Sequence, residues 1–390
     1  MIRPGGGDNA GAFTLAAELE SEPLPDNRVD ATPRRRSRVR LLALLVVLAG
    51  LLLAFLAWPR DRVETGFPMD IEWAGEVGYA SMGDGEIVRL SVEGDQVSSE
   101  VLAGGLSYPR GLAVTDDTIY IAELGALPCE DPVPRCKGEH IGPTTADGER
   151  TLMEATAGRV LAYPINGDGT LGSPRIVVEG LSFVNTDHAL NDLELGPDGS
   201  LYLTIGNLDQ LAWDDGGEPP DGPATELLGS VLRIDPETGS FEVFASGLRN
   251  VYGLAFDEGG ALWGVDNDGR GRGIWRFEEL TRIEQGLDYG FPDEGTIGPY
   301  ERRTGFPVWI LPGSGSSGIL VRDGTVISGA CGDITRLRLD TRSGDADLEQ
   351  VDNRGCVTAI ERLPDGRLLL GTVLGGQPIR IVTEASLFGD

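Results

Sequence analysis

Positive charge, histidine and cysteine are all scarce in this chain of 390 residues. Lys and Arg together number 32 against 62 Asp and Glu, for a formal charge of −30. A field of that sign repels phosphate backbones and anionic headgroups, which excludes nucleic acid as a class of partner. The acids are scattered rather than gathered in runs, so they read as a solvated acidic surface. There is one lysine, Lys137, and there are two histidines, His140 and His188. Of the four cysteines, Cys129 and Cys136 bracket a Pro-rich loop. A small staple fits that loop. A zinc site would need a second Cys-x-x-Cys or a histidine pair, and His140 is a single histidine. No long helical periodicity appears beyond residue 58, and apolar residues run unbroken over a membrane-length stretch at one place only.

That place is Leu41–Trp58. Eighteen residues at helical rise reach about 27 Å, close to the thickness of a hydrocarbon core. Arg34, Arg35, Arg36, Arg38 and Arg40 precede the run, whereas Arg60 and Arg62 after it are mixed with Asp61 and Glu64. The heavier basic flank stays cytoplasmic, so the expectation is a single-pass cell-membrane anchor with the N-terminus inside and the bulk outside. The stretch before the run is much longer than the basic region of a cleaved signal, and no Ala-x-Ala site follows it. Residues 1–40 read as a disordered cytoplasmic tail ending in the basic flank, 41–58 as the anchor, 59–71 as a linker and 72–390 as one large domain.

Within that domain a strand–turn–strand unit recurs. Its instances begin at Gly78, Ile119, Leu201, Leu262, Thr325 and Leu368, and their second strands at Glu86, Gly158, Gly229, Gly273, Ile334 and Pro378. Turn chemistry sits where hairpins need it, as in Pro197-Asp198-Gly199, Asp235-Pro236-Glu237-Thr238-Gly239 and Pro364-Asp365-Gly366. Six such units in an acidic, Gly-rich chain predict an all-β, six-bladed β-propeller preceded by one transmembrane helix. Segments 124–157, 208–228 and 284–317 interrupt the rhythm and are expected as loops on the faces.

Three motifs then occur in order: His188-Ala189-Leu190-Asn191-Asp192-Leu193 running into Gly196-Pro197-Asp198-Gly199-Ser200-Leu201-Tyr202; Gly247-Leu248-Arg249-Asn250; and Gly286-Leu287-Asp288-Tyr289-Gly290-Phe291-Pro292. Together they resemble the glucose/sorbosone dehydrogenase family, over about residues 105–382. The resemblance implies an oxidoreductase acting on a small sugar or alcohol, with pyrroloquinoline quinone (PQQ) and calcium as cofactors. By that resemblance His188 is the base that takes the hydroxyl proton, a task suited to a group titrating near neutrality. Arg249 stabilises charge on the reduced quinone, Asn250 and Asn267 face the cofactor, and Asp266 and Asp268 are candidate calcium ligands.

The family's PQQ-binding lysine and arginine pair have no counterpart at the matching places. Ser328-Gly329-Ala330-Cys331-Gly332-Asp333 and Gly355-Cys356-Val357-Thr358-Ala359 stand there instead. Cys331 and Cys356 fall at matching ends of adjacent blades, which predicts a disulfide between them beside the Cys129–Cys136 staple. The alternative reading is a non-catalytic propeller that binds carbohydrate or a protein partner at the cell envelope.

Overall fold

The computed structural model describes residues 66–125, 158–183, 188–207, 226–267, 277–291, 309–312, 315, 317–339, 346–373 and 377–389. The expected anchor Leu41–Trp58, the Cys129–Cys136 loop, Asp187 and Asp268 lie outside them. Among the described residues no helix is long and apolar enough to cross a membrane.

Every described sheet is antiparallel and is built from strands consecutive in the chain. The first holds β1 (Pro68–Ala74), β2 (Val77–Met82), β3 (Glu86–Glu93) and β4 (Gln96–Ala103). The second holds β5 (Pro109–Val114), β6 (Thr118–Glu123), β7 (Gly158–Pro164) and β8 (Arg175–Leu181). The third holds β9 (Leu190–Leu195), β10 (Leu201–Ile205), β11 (Ser230–Ile234) and β12 (Phe241–Ala245). The fourth holds β13 (Val251–Phe256), β14 (Leu262–Asp266), β15 (Phe277–Ile283) and β16 (Trp309–Pro312). The last joins β17 (Gly318–Arg322), β18 (Thr325–Gly329), β19 (Cys331–Leu339), β20 (Ala346–Arg362), β21 (Leu368–Val373) and β22 (Ile379–Val382). A short helix, α1 (Glu384–Phe388), follows and is closed at its start by a Thr383–Ser386 capping box.

The 17-residue β20 explains why the last sheet is continuous. Its first part pairs with β19 and its second with β21, and Cys356 is paired on both sides. Strands β1, β5, β9, β13, β17 and the second part of β20 touch in cyclic order and close on themselves. This is the all-β propeller that the repeats predict. Burial follows the same order: the second strands are almost wholly buried, as in β10 and β14, where every residue is buried, while outer strands such as β4 and β12 are largely exposed.

The turn residues act as their chemistry requires. Asp198 accepts the Ser200 N–H at 3.1 Å, and Asp365 accepts that of Arg367 at 3.0 Å. Gly199 and Gly366 take φ values of 79° and 88°, open to glycine at no steric cost. Two boundaries differ from expectation. β1 opens at Pro68, inside the segment read as linker. Trp309–Pro312, read as part of an irregular segment, pairs with β15 as an outer strand. Its partner lies far along the chain, so local pattern carries no register information. The second strand expected from Gly273 is described from Phe277, as β15, and Gly273 itself lies outside the described residues.

Ring closure brings β5 and β9 into near backbone contact. A Cβ on Gly111 would lie 2.2 Å from the Leu193 nitrogen and 2.5 Å from the Asp192 carbonyl carbon. Gly111→Ala should therefore lower stability by about 2 kcal/mol or more, as overpacking against backbone does. Gly167→Ala, at an exposed turn with nothing within 4 Å of its Cβ, should stay within about 0.5 kcal/mol. Chemical denaturation of both variants measures the contrast.

Candidate active site

Residues that precede the inner strands share one rim of the ring, together with those that end the neighbouring second strands. His188 stands just before β9, and Arg249 and Asn250 just before β13. Gly206 and Asn207 follow β10, and Asp266 ends β14 with Asn267 next to it. The His188 ring nitrogen Nδ1 shares a short hydrogen bond with the Asn207 carbonyl. A carbonyl can only accept, so Nδ1 carries the proton and Nε2 is left as the basic nitrogen. Gly206 is what lets the pieces meet, since a Cβ there would stand 2.4 Å from the Asn250 Oδ1 and 2.8 Å from the His188 Cα. Asn207 in turn donates its N–H to the Arg249 carbonyl at 2.6 Å. Thus the His188 and Arg249-Asn250 segments, 61 residues apart in the chain, are tied together by two intervening residues.

Asp266 accepts the main-chain N–H groups of Arg249 at 3.0 Å and Asn250 at 2.6 Å. Its carboxylate therefore fixes the Gly-Leu-Arg-Asn turn. The Arg249 guanidinium donates to the Asn267 carbonyl. From Asn250 the network runs outward: Asn191 Nδ2 donates to Asn250 Oδ1 at 2.8 Å and to the Val251 carbonyl at 3.0 Å, and Arg110 Nη2 donates to Asn191 Oδ1 at 3.2 Å and to the Tyr252 hydroxyl at 2.9 Å. The Arg110 guanidinium also lies 5.2 Å from the Tyr108 ring centroid and 5.0 Å from that of Tyr252, within cation–π reach. Arg110, Asn191, Tyr108 and Tyr252 are site residues that sequence reasoning missed. The available signal was a basic residue opening a strand in an acidic chain, at Pro109-Arg110-Gly111.

Below this rim lies an axial cavity of about 340 Å³. Every inner strand contributes to its wall, through Asp70, Arg110, Asp192, Leu254, Ile319 and Glu361 among others. Asn267 lines it; His188, Arg249 and Asn250 are not among its lining residues and are nine-tenths or more buried. Two residues further along their strands, Glu72 and Glu194 add two more carboxyls. Burial, followed by the charge of neighbouring acids, pushes Asp70, Glu72 and Glu194 well above the usual carboxylate range. Burial raises Asp192 to about 6 against its backbone hydrogen bonds, and Glu361 to about 7.

These groups do not fit the tricarboxylate PQQ. The described wall carries five carboxyls, and its guanidinium, Arg110, is already bonded to Asn191 and Tyr252. Where the family places cations, the structure has the Cys331–Cys356 disulfide, as the sequence predicts. Among the described residues, anionic oxygens held there would lack charge-assisted partners. Among the described residues no group of three or more His, Cys, Asp or Glu is placed to hold a metal ion. Asp266, expected as a calcium ligand, accepts main-chain N–H groups with its carboxylate, and Asp268, expected beside it, lies outside the described residues.

The fold is that of the soluble sugar dehydrogenase propellers. The chain is similar to a glucose dehydrogenase-type oxidoreductase of Thermus thermophilus, with 21% identity over 82% of this chain and 97% of the other at a TM-score of 0.56. It is similar to the PQQ-bound aldose sugar dehydrogenase of Streptomyces coelicolor, with 23% identity over 83% and 95% at 0.57. It is similar also to the PQQ domain of pyranose dehydrogenase from Coprinopsis cinerea, with 12% identity over 83% and 94% at 0.56. Residues 149–286 match a family model described as a domain of unknown function, DUF7133. No curated protein matches the chain.

The raised carboxyls set a pH dependence. A folded-state value above the ordinary one means that the folded form binds the proton more tightly, so the stability it contributes is complete below about pH 4 and is lost as pH rises through 6 to 7. Carboxylates held low by turn and arginine contacts, such as Asp365 and Glu349, act in the opposite sense, but below that window. The melting temperature should therefore fall between pH 5 and pH 7.5. An Asp192→Asn, Glu361→Gln double variant should show a shallower fall over the same range, read by thermal melts at matched ionic strength.

Proposed function

We propose that this protein is a six-bladed sugar- or alcohol-processing propeller of the glucose/sorbosone dehydrogenase type, held outside the cell membrane by residues 41–58. In this reading the first part of β20 completes a fifth blade and the second part opens a sixth. The membrane assignment stands on the apolar run and its arginine flank. The activity stands on one observation above all: the imidazole of His188, fixed in a single tautomer by a main-chain carbonyl, meets the Arg249-Asn250 turn at one rim above the axial cavity.

His188 Nε2 is the group that takes the proton of a substrate hydroxyl. The Asn207 carbonyl holds the ring and stabilises the imidazolium that forms. Asn250, Asn191 and Arg110 hold the rim rigid, so that the base keeps its position as the hydroxyl approaches. The poor fit to PQQ favours a second reading, in which the same rim binds a neutral carbohydrate without oxidising it.

Calorimetry and a dye-reduction assay separate the two. On the first reading, full-length protein reduces dye when given aldoses, with or without added PQQ and calcium, and His188→Ala lowers kcat by about 10²–10⁴-fold, the range for a lost general base. On the second, aldoses bind with no dye reduction and PQQ gives no heat. Full activity in His188→Ala removes the base, and no sugar binding at all removes both readings.

A further inference from the structure

We propose that the Cys331–Cys356 disulfide is a reducible modification site, a two-electron redox latch on the cavity rim that exchanges with a dithiol partner. The bond joins β19 to β20 at the residue where β20 changes sheet partners, since Cys356 pairs with Cys331 on one side and Val373 on the other. Both cysteines line the axial cavity.

The backbone around the bond is irregular. From Asp333↔Asp352 down to Leu339↔Ala346 the β19–β20 ladder is continuous, but between Asp333 and Cys331 the register breaks, leaving Asn353, Arg354 and Gly355 opposite the single residue Gly332. Gly332 and Gly355 take φ values of 97° and 107°, left-handed backbone that ladder residues do not use. On the rim side of this break the two strands are held by the sulfurs and by one long main-chain hydrogen bond, from the Val357 N–H to the Ala330 carbonyl at 3.3 Å. Away from it the ladders β18–β19, β19–β20 and β20–β21 hold the sheet without help from the bond. Cutting the disulfide leaves the rim side of β19 tied to β20 by that single hydrogen bond, free to open locally, and leaves the sheet in place.

Access fits the same role. Cys331 is exposed and Cys356 half-buried, and the adjoining Gly332 and Gly355 offer no side chain to cover them. A thiolate of the dithiol attacks the Cys331 sulfur, forming a mixed disulfide and releasing Cys356 as a thiolate that takes a proton. The second thiol of the partner then displaces Cys331. The dithiol leaves as its own disulfide, having given two electrons, and the chain keeps two thiols. A small dithiol or a redox protein with a Cys pair both meet this chemistry.

The test uses full-length protein in native buffer with dithiothreitol as the dithiol, alkylation read peptide by peptide, and amide hydrogen exchange. Peptide resolution keeps Cys129 and Cys136 separate. The expected result is alkylation of Cys331 and Cys356 in the folded protein, with exchange over 352–358 faster by about tenfold or more and β9 and β13 unchanged, as a local opening requires. A Cys331→Ser, Cys356→Ser variant should exchange like the reduced protein without added dithiol. The proposal is overturned if the pair resists alkylation until denaturant unfolds the chain, or if reduction leaves exchange over 352–358 unaltered. Should the double variant fail to fold, the wild-type measurements still decide. None of these readouts depends on a sugar binding.

Discussion

An inner strand of a closed ring presents one edge to its neighbour without pairing to it, and main-chain N–H groups on that edge need acceptors away from bulk water. Two aspartates supply them in the same way. Asp70 of β1 accepts the Leu112 N–H of β5 at 2.8 Å, and Asp192 of β9 accepts the Leu254 N–H of β13 at 2.5 Å. Each also accepts the N–H of the residue that follows it, at 2.8 Å. The carboxylates thus act as hydrogen-bonding rungs between sheets that share no ladder. Because the rungs point at the axis, closing the ring places charge where solvation is poor. The raised titration of the axial acids follows from the same geometry that joins the sheets.

The rim rests on this ring. His188, Arg249 and Arg110 belong to three different sheets, and their relation is set by how β5, β9 and β13 pack. Gly111 allows β5 to lie against β9, and Gly206 allows the His188 and Asn250 segments to touch. The asparagines and Asp266 then join the parts by hydrogen bonds at 2.6–3.2 Å. A buried guanidinium such as Arg110 is tolerated because two tyrosine rings and two oxygens face it.

Much of the fold was legible because its signals are local. Alternation and β-branched residues marked strands such as β6, β10 and β18, and Pro-Asp-Gly marked turns whose φ values only glycine takes cheaply. The Cys331–Cys356 pair was legible once the repeats were aligned. The inner strands were less visible: β5 and β13 carry glycines and polar residues that packing against neighbouring backbone and the cavity requires, which blurs the apolar alternation. β16 was missed because its partner is the distant β15. At the site, the motifs led to His188, Arg249 and Asn250. Arg110, Asn191 and Tyr252 come from three sheets and have ordinary local contexts, so only ring closure shows them as one network. The main-chain contacts of Asp266 were not visible beforehand, because a carboxylate that caps a turn and one that holds calcium look alike in sequence.

The axial acids bear on what the cavity can hold. A protonated carboxyl donates and accepts, while an ionised one only accepts. With Asp192 near 6 and Glu361 near 7, the wall offers both kinds of group around neutral pH. A polyol carries hydroxyls that do both, so it can be satisfied by either protonation state without bringing charge. An anionic ligand meets ionised acids as the pH rises, and Arg110 is occupied by its tyrosine and asparagine. The described wall thus suits neutral hydroxylated ligands, in keeping with the proposed function. It sets a scaffold that resembles that of quinone-dependent sugar oxidation beside a described wall whose charge opposes the quinone's carboxylates.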